Sequence, residues 1–554
     1  MNRIILILST LFLFACGDQP AEKPTGEQPN RERSQSTDDG FDMSRTEIYT
    51  PFELTTELSK LSEEDKQIIP ILIEAASIMD DLFWIQSYGD KDALMTQIGD
   101  PKLREFARIN YGPWDRLADD KPFVDGFGEK PAGANFYPQD MTKEEFDAWS
   151  SSSKSNLYTM VRRNAQNQLE ATWYHEFFSE ELGRAAELLR EAAAITNNGS
   201  FKYYLELRAE AFETGRYNPS DVAWLSLEDN NLDIIIGPIE NYEDKLFGYK
   251  AAFEAYVLVK DQEWSKQLER FKDLLPRLQE ELPCDPKYKQ DKIGGNAQLN
   301  AYDVIYYAGD CNSGSKTIAV NLPNDEEIQQ NYGTRRSQLK NAMRAKYDKI
   351  LVHISDILIT EDQRKYITFD AFFANTMFHE VAHGLGIKNT IDGQGTVREA
   401  LKEQSSALEE GKADILGLWM VTKLFEWEEY DQGQLMDNYV TFMAGIFRSV
   451  RFGASSAHGK ANMLRFNYFR EKGAFTRRTD GTYAVDFAKM QQAMTDLSAL
   501  ILQLQGDGAY EDVKSLMEEK GTIKKQLQDD LNRLDEAKIP VDIVFEQGVE
   551  VLGL

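Results

Sequence analysis

Cysteine is nearly absent from this chain: three in 554 residues, too few for a disulfide scaffold. Cations are in deficit, with 62 Lys plus Arg against 92 Asp plus Glu and a formal charge of −30. Phosphate recognition needs a clustered basic footprint, so this balance excludes a nucleic-acid binder. After the first sixteen residues no apolar run approaches the ~18 that a membrane-spanning helix requires. No internal repeat is visible. What the chain does contain is 42% hydrophobic and 11% aromatic residues, enough to bury a large core and exclude global disorder.

The start, MNRIILILSTLFLFAC, has one cation, Arg3, followed by apolar or small residues from Ile4 to Ala15. It is too short to span a bilayer as a mature helix and has the proportions of a secretory signal, whose apolar region is ~7–15 residues. Leu13-Phe14-Ala15-Cys16 resembles a bacterial lipobox, in which Cys16 becomes the lipidated first residue of the mature protein. An ordinary cleaved signal with an incidental Cys16 is the alternative. Residues 17–44 carry almost no apolar side chain, cannot offset their ordering entropy, and read as a flexible tether. The expected location is the bacterial cell envelope, facing periplasm or exterior, with the membrane reached only through the lipid anchor. Cys284 and Cys311 would then be the only thiols left in an oxidising compartment, where they either pair or stay free.

From about residue 52 helical periodicity dominates. ELTTELSKLSEEDKQIIPILIEAASIMDDLFWI, FSEELGRAAELLREAAAI, EWSKQLERFKDLLPRLQEEL and FAKMQQAMTDLSALILQLQ each place apolar residues at three and four spacings, so each buries one stripe. Strand-like text is confined to NLDIIIGPIENY, AAFEAYVLVKD, DVIYYAG, KTIAVNLPND and the terminal VDIVFEQGVEVL. Residues 118–142 are rich in Gly, Pro and Asp and read as a long ordered loop. The expected class is α+β, mainly helical.

Histidine is scarce too, five in all, and two lie in Phe378-His379-Glu380-Val381-Ala382-His383-Gly384. On a helix His379 and His383 stand about 6 Å apart along the axis and roughly 40° apart around it, so both rings can reach one ion. Glu380, about 100° further round, can face the attacking water. This is the HExxH pattern, with two zinc-binding His and a general-base Glu. A catalytic zinc usually takes a third protein ligand. In the long HExxHxxGxxH pattern it would be His, and Gly386 fills the glycine place, but Asn389 stands where that His belongs. The next candidate is Glu409-Glu410-Gly411-Lys412-Ala413-Asp414, which resembles the second zinc helix of thermolysin-like enzymes. By that spacing Glu410 is the third ligand. Asp414, one turn later, becomes the acceptor for an imidazole N–H, with Glu409 a second candidate for that place. His175 and His353 have no partner spacing and read as structural.

With these motifs the chain resembles dipeptidyl peptidase III, a class of zinc aminopeptidases. That family's zinc helix normally carries HExxGH and its second motif reads EExxAE; here they are the shorter HEVAH and EEGKAD. The short form, with Gly384-Leu385-Gly386 and TVREALKEQSSALEEGKADILGLW, is most similar to the peptidase portion of plant Nudix-fused members, although no Nudix box is present. The resemblance implies two lobes, a helical zinc domain and a mixed domain with a small β-barrel-like core, and a cleft between them. Residues 45–260 with 303–350 and about 538–554 would form the mixed lobe, and 261–302 with 351–537 the catalytic one. It also implies roles for residues outside the zinc motifs. Tyr242, in Gly237-Pro238-Ile239-Glu240-Asn241-Tyr242, and His458, in Ala457-His458-Gly459, would stabilise the tetrahedral intermediate. Glu240 with Asn321 and Asn324, in Ala319-Val320-Asn321-Leu322-Pro323-Asn324, would grip the free amine of an oligopeptide.

The resulting expectation is one Zn²⁺ per chain, held by His379, His383 and Glu410, and release of dipeptides from peptide N-termini. The rivals are a zinc endopeptidase or other amide hydrolase with the same site, and a peptide-binding lipoprotein without turnover. The last predicts a damaged ligand set or base, which these motifs do not have.

Overall fold

The computed structural model describes residues 41–227, 229–289, 297–451 and 453–554. The signal-like start, Cys16 and tether residues 17–40 lie outside the described residues. No helix among the described residues is long and apolar enough to cross a membrane.

A short strand, β1 (Tyr49–Glu53), precedes the long helix α1 (Glu63–Ser87). Ser62 and Asp65 start that helix reciprocally: the Asp65 N–H donates to Ser62 Oγ at 3.0 Å and the Ser62 N–H to Asp65 Oδ2 at 3.4 Å, which satisfies two donors the first turn leaves free. Its buried stripe, including Ile69, Leu72, Met79 and Phe83, packs on α2 (Ser179–Ile195) and on the central sheet. Next come α3 (Gly199–Thr214), β2 (Leu232–Pro238), β3 (Phe253–Lys260), α4 (Gln262–Glu280), β4 (Ala297–Gly309), β5 (Ala319–Leu322) and β6 (Thr334–Leu339).

The five strands pair in the order β2-β3-β4-β6-β5. All pairings are antiparallel except β4 with β6. No pairing closes β2 onto β5 among the described residues, so β5 is an edge. Every residue of β2 is buried, which explains an apolar run without alternation. Its one charge, Asp233, accepts from Trp224 Nε1 and Tyr302 Oη at 3.0 Å each and faces Arg335 at 3.2 Å. That network buries the polar text TRRSQL as β6, a strand that hydrophobic pattern does not announce.

The second lobe is helical: α5 (Phe369–Ala382), α6 (Ser405–Glu426), α7 (Leu435–Val450), α8 (Ala457–Lys472) and α9 (Phe487–Gly506). The chain then returns to the mixed lobe, where β7 (Asp542–Glu546) pairs in parallel with β1. One sequence expectation needs correction here, and one alternative left open is decided. Only the first part of VDIVFEQGVEVL is strand; Gly548, at φ +112°, turns the chain into a short helix, Val549–Leu552. Cys284 and Cys311 do not pair; both are free thiols, and Cys311 is buried with Sγ donating to the Ala308 carbonyl at 3.2 Å.

Candidate metal centre

Helix α5 begins at Thr368, whose Oγ1 accepts the Ala371 N–H at 3.3 Å, and its last turns carry HEVAH. His383 closes the helix with helical dihedrals and an N–H bond to the His379 carbonyl at 3.3 Å. Gly386 then reverses the chain at φ +83°, where a Cβ would stand 2.7 Å from Leu502. Helix α6 crosses α5 closely at Gly417, whose missing Cβ would lie 2.8 Å from the His379 backbone nitrogen. This close approach brings the Glu409–Asp414 turn beside both histidines.

His379, His383 and Glu410 present donor atoms that all lie within 4.8 Å of one another. His379 Nε2 is 3.2 Å from His383 Nε2 and 3.4 Å from Glu410 Oε2, and His383 Nε2 is 3.8 Å from the same oxygen. A tetrahedral ion with bonds of ~2.0–2.1 Å separates its ligand atoms by about 3.3 Å. Outer partners fix both rings. His379 Nδ1 donates to Asp414 Oδ1 at 2.8 Å and His383 Nδ1 to Glu409 Oε1 at 3.1 Å, which turns the two Nε2 lone pairs inward. Glu410 Oε2 is buried without a hydrogen-bond partner. Two imidazole nitrogens and a carboxylate oxygen facing one another at this range suit a cation between them, and imidazole, imidazole and carboxylate are zinc donors. Burial opposes charging of His379, yet Asp414 and Glu410 raise its pKa to about 10, a sign of how strongly the group attracts positive charge.

The outer carboxylates are themselves held. Arg465 pairs with Asp414. Glu409 accepts from Lys412 Nζ at 2.7 Å and Gln505 Nε2 at 3.0 Å; burial works against its charge, but Lys412 and His383 keep it well below the usual carboxylate range. His458, in the first turn of α8, points its Nδ1 at Glu410 Oε2 from 3.2 Å while its side chain stays 64% exposed. Glu380 lines a cavity of about 390 Å³ with His379, Asp414 and His458, and Ile318 and Ala319 close that cavity from the mixed lobe. The Glu380 carbonyl accepts from Arg336 Nη1 of β6, a direct tie between lobes.

A second group forms around β5. Asn324 Nδ2 donates to Glu240 Oε2 at 3.0 Å, and enclosure raises the Glu240 carboxyl above its usual range. Asn321 is exposed and pairs in register with Arg336. Tyr242 is 73% exposed and does not line the cavity around Glu380; the nearby Glu240 charge raises its phenol pKa. The structure thus gathers His379, Glu380, His383, Glu409, Glu410, Asp414 and His458 in one place, joins Glu240 to Asn324, and leaves Tyr242 apart. His353 is exposed, His175 is half-buried, and neither joins the metal group.

Sequence reasoning missed Arg336, Arg465, Lys412, Gln505 and Gly417. A signal existed for Arg465, which lies seven residues after His458 on one helix and so on the same face. None existed for Arg336.

Comparisons with known proteins agree with this geometry. The description "Peptidase family M49" matches residues 134–398. Nudix hydrolase 3 of Arabidopsis thaliana is 36% identical over 89% of this chain and 72% of its own length. The structure of DPP III from Caldithrix abyssi superposes with a TM-score of 0.88 at 38% identity, covering 92% of this chain and 99% of that one. That of dipeptidyl-peptidase III from Corallococcus sp. strain EGB gives 0.77 at 37% identity, with 91% and 96% covered.

Proposed function

This chain belongs to peptidase family M49 and is a metallopeptidase; from that premise we propose that it binds zinc and releases dipeptides from the free N-terminus of oligopeptides. The observation that carries the reading is the convergence of His379, His383 and Glu410, with His379 and Glu380 lining the cavity that Ile318 and Ala319 border from the mixed lobe. Zinc in that position supplies Lewis acidity toward the scissile carbonyl and makes water acidic enough to deprotonate near neutral pH.

The chain's own residues do the rest. Glu380 takes the proton of the attacking water and delivers it to the leaving amine. Asp414 and Glu409 keep both ring N–H groups pointed away from the metal position. His458 donates to the oxygen that becomes negative. Tyr242 is proposed as the second donor to that oxygen on the family resemblance alone, and from its exposed position it would have to move to reach it. Glu240, with Asn324 and Asn321, takes the ammonium, and this sets an exopeptidase register. The pairing of β7 with β1 supports assigning residues 538–554 to the mixed lobe.

The test is product analysis with zinc-loaded protein. An unblocked peptide should yield dipeptides, and its N-acetylated form should be inert; internal fragments from the acetylated peptide would refute the register. We further propose lipid attachment at Cys16 in a bacterial envelope. Incorporation of labelled palmitate into the full chain, and its loss in Cys16→Ser, is the check.

A further inference from the structure

Arg448 of α7 lines the same cavity as His379 and Glu380. Among the described residues it has no ion pair, and its buried Nε finds no acceptor. Its guanidinium carbon stands 5.7 Å from the centre of the Phe372 ring. Leaving that buried donor without an acceptor is unfavourable. The carboxylate that acts on it is Asp542, but that group is already committed: Lys346 Nζ lies 3.1 Å away and Ser315 Oγ donates to it at 2.6 Å. A further buried lysine, Lys316, acts on Asp542 as well. Lys316, Lys346 and Arg448 therefore share one carboxylate, at one end of a cleft in a chain of formal charge −30.

The other end of the cleft carries the opposite charge. Strand β5 leads from Ala319, which borders the Arg448 cavity, to Leu322, beside the bonded pair Glu240 and Asn324. Its four residues cover about 10 Å. As the edge of the sheet, β5 has backbone groups free to bind an extended chain running antiparallel to it. A peptide laid there with its amine at Glu240 would run toward Ala319 and so toward the cavity that Glu380 and Arg448 line.

We propose that Arg448 binds the terminal carboxylate of the peptide, so that the cleft reads both ends of a short zwitterionic oligopeptide of about four to six residues. This rests on the peptidase reading above and names its substrate class more narrowly. A guanidinium is the donor suited to a carboxylate, which it can meet with two parallel N–H bonds.

The experiment compares a pentapeptide acid with its C-terminal amide, both with a free N-terminus, on the zinc-loaded full chain. Wild type should prefer the acid by about tenfold or more in kcat/KM, the effect of one charge-assisted contact. In Arg448→Met that preference should collapse to within about twofold, and Arg448→Lys should restore part of it. Equal rates for acid and amide in wild type, or a loss in Arg448→Met that is the same for both peptides, would overturn the proposal. Calorimetric binding of the same pair to Glu380→Gln separates the two readings. Preferential binding of the acid that depends on Arg448, with no cleavage by wild type, would sustain this inference and sink the peptidase reading. Cleavage without discrimination would do the reverse.

Discussion

Arg465 controls His379 through a shared carboxylate: Asp414 accepts the His379 Nδ1 proton at 2.8 Å on one oxygen and pairs with the Arg465 guanidinium on the other. Removing the arginine leaves Asp414 free to rotate and the ring free to tilt. Arg465→Met should weaken zinc binding about 10- to 100-fold, the usual effect of losing an outer partner of a metal ligand. Competition against a chromophoric chelator measures it, and an unchanged affinity would show that Asp414 needs no anchor.

Glu380 touches the cavity but is not one of the three converging donors. Glu380→Gln should therefore keep one zinc per chain by metal analysis while kcat drops by about 10²–10⁴. Undiminished turnover would remove Glu380 from the mechanism.

His458 and Tyr242 start from different places. His458 is already at the metal group, whereas Tyr242 is exposed. Replacing His458 by Asn or Tyr242 by Phe should each lower kcat about 10²–10³-fold without loss of zinc, as expected for a donor to a developing oxyanion. If Tyr242→Phe leaves kcat intact, the phenol does not reach the reacting carbonyl.

Gly417 lets α6 approach α5 until the missing side chain would be 2.8 Å from the His379 nitrogen and 2.9 Å from the Phe378 carbonyl carbon. Both neighbours are backbone and cannot step aside. Gly417→Ala should cost about 1–3 kcal/mol in stability, the range for overpacking. It should also weaken zinc binding, because it separates the two helices that supply the ligands. Urea unfolding with and without zinc distinguishes the two effects.

Much of this site was legible because its parts repeat local rules. HEVAH needs only one helical turn to align two rings, and Glu410 and Asp414 are one turn apart on another helix. Periodicity likewise found α1, α2, α4 and α9. What escaped depends on contacts far apart in sequence. Strand β6 is built from TRRSQL, whose burial makes sense only once Arg335 meets Asp233. Arg336 matters because β6 delivers it to the end of α5, and nothing in its neighbourhood of the chain announces that. The terminal VEVL had strand-like composition, but Gly548 turned it aside. Tyr242 was identified by family likeness, and the structure leaves it exposed and outside the cavity around Glu380.

Asp310 supplies a pH test away from the metal. Desolvation, with Glu243 and Glu240 adding repulsion and Arg116 and Lys130 opposing it, pushes its carboxyl up to about 7 from an ordinary 3.8. A raised folded-state pKa means that the native form holds this proton longer. The stability it contributes is complete below pH 4 or so and is lost as pH rises through about 7. Asp310→Asn should flatten that slope. Urea midpoints at pH 5 and pH 7.5 should differ less in the variant than in wild type, and equal slopes would place the titration elsewhere.

The parallel pairing of β7 with β1 joins Tyr49–Glu53 to Asp542–Glu546. Nearly five hundred residues separate the two strands, and the helical lobe is inserted between them. During synthesis the first strand must therefore stay without its partner until almost the whole chain has emerged. The zinc helices have their partners earlier, since α5 to α9 are contiguous. The five-stranded sheet that bears Glu240 and Asn324 emerges before α5, the zinc helices follow it, and only the seam between β1 and β7 is closed last.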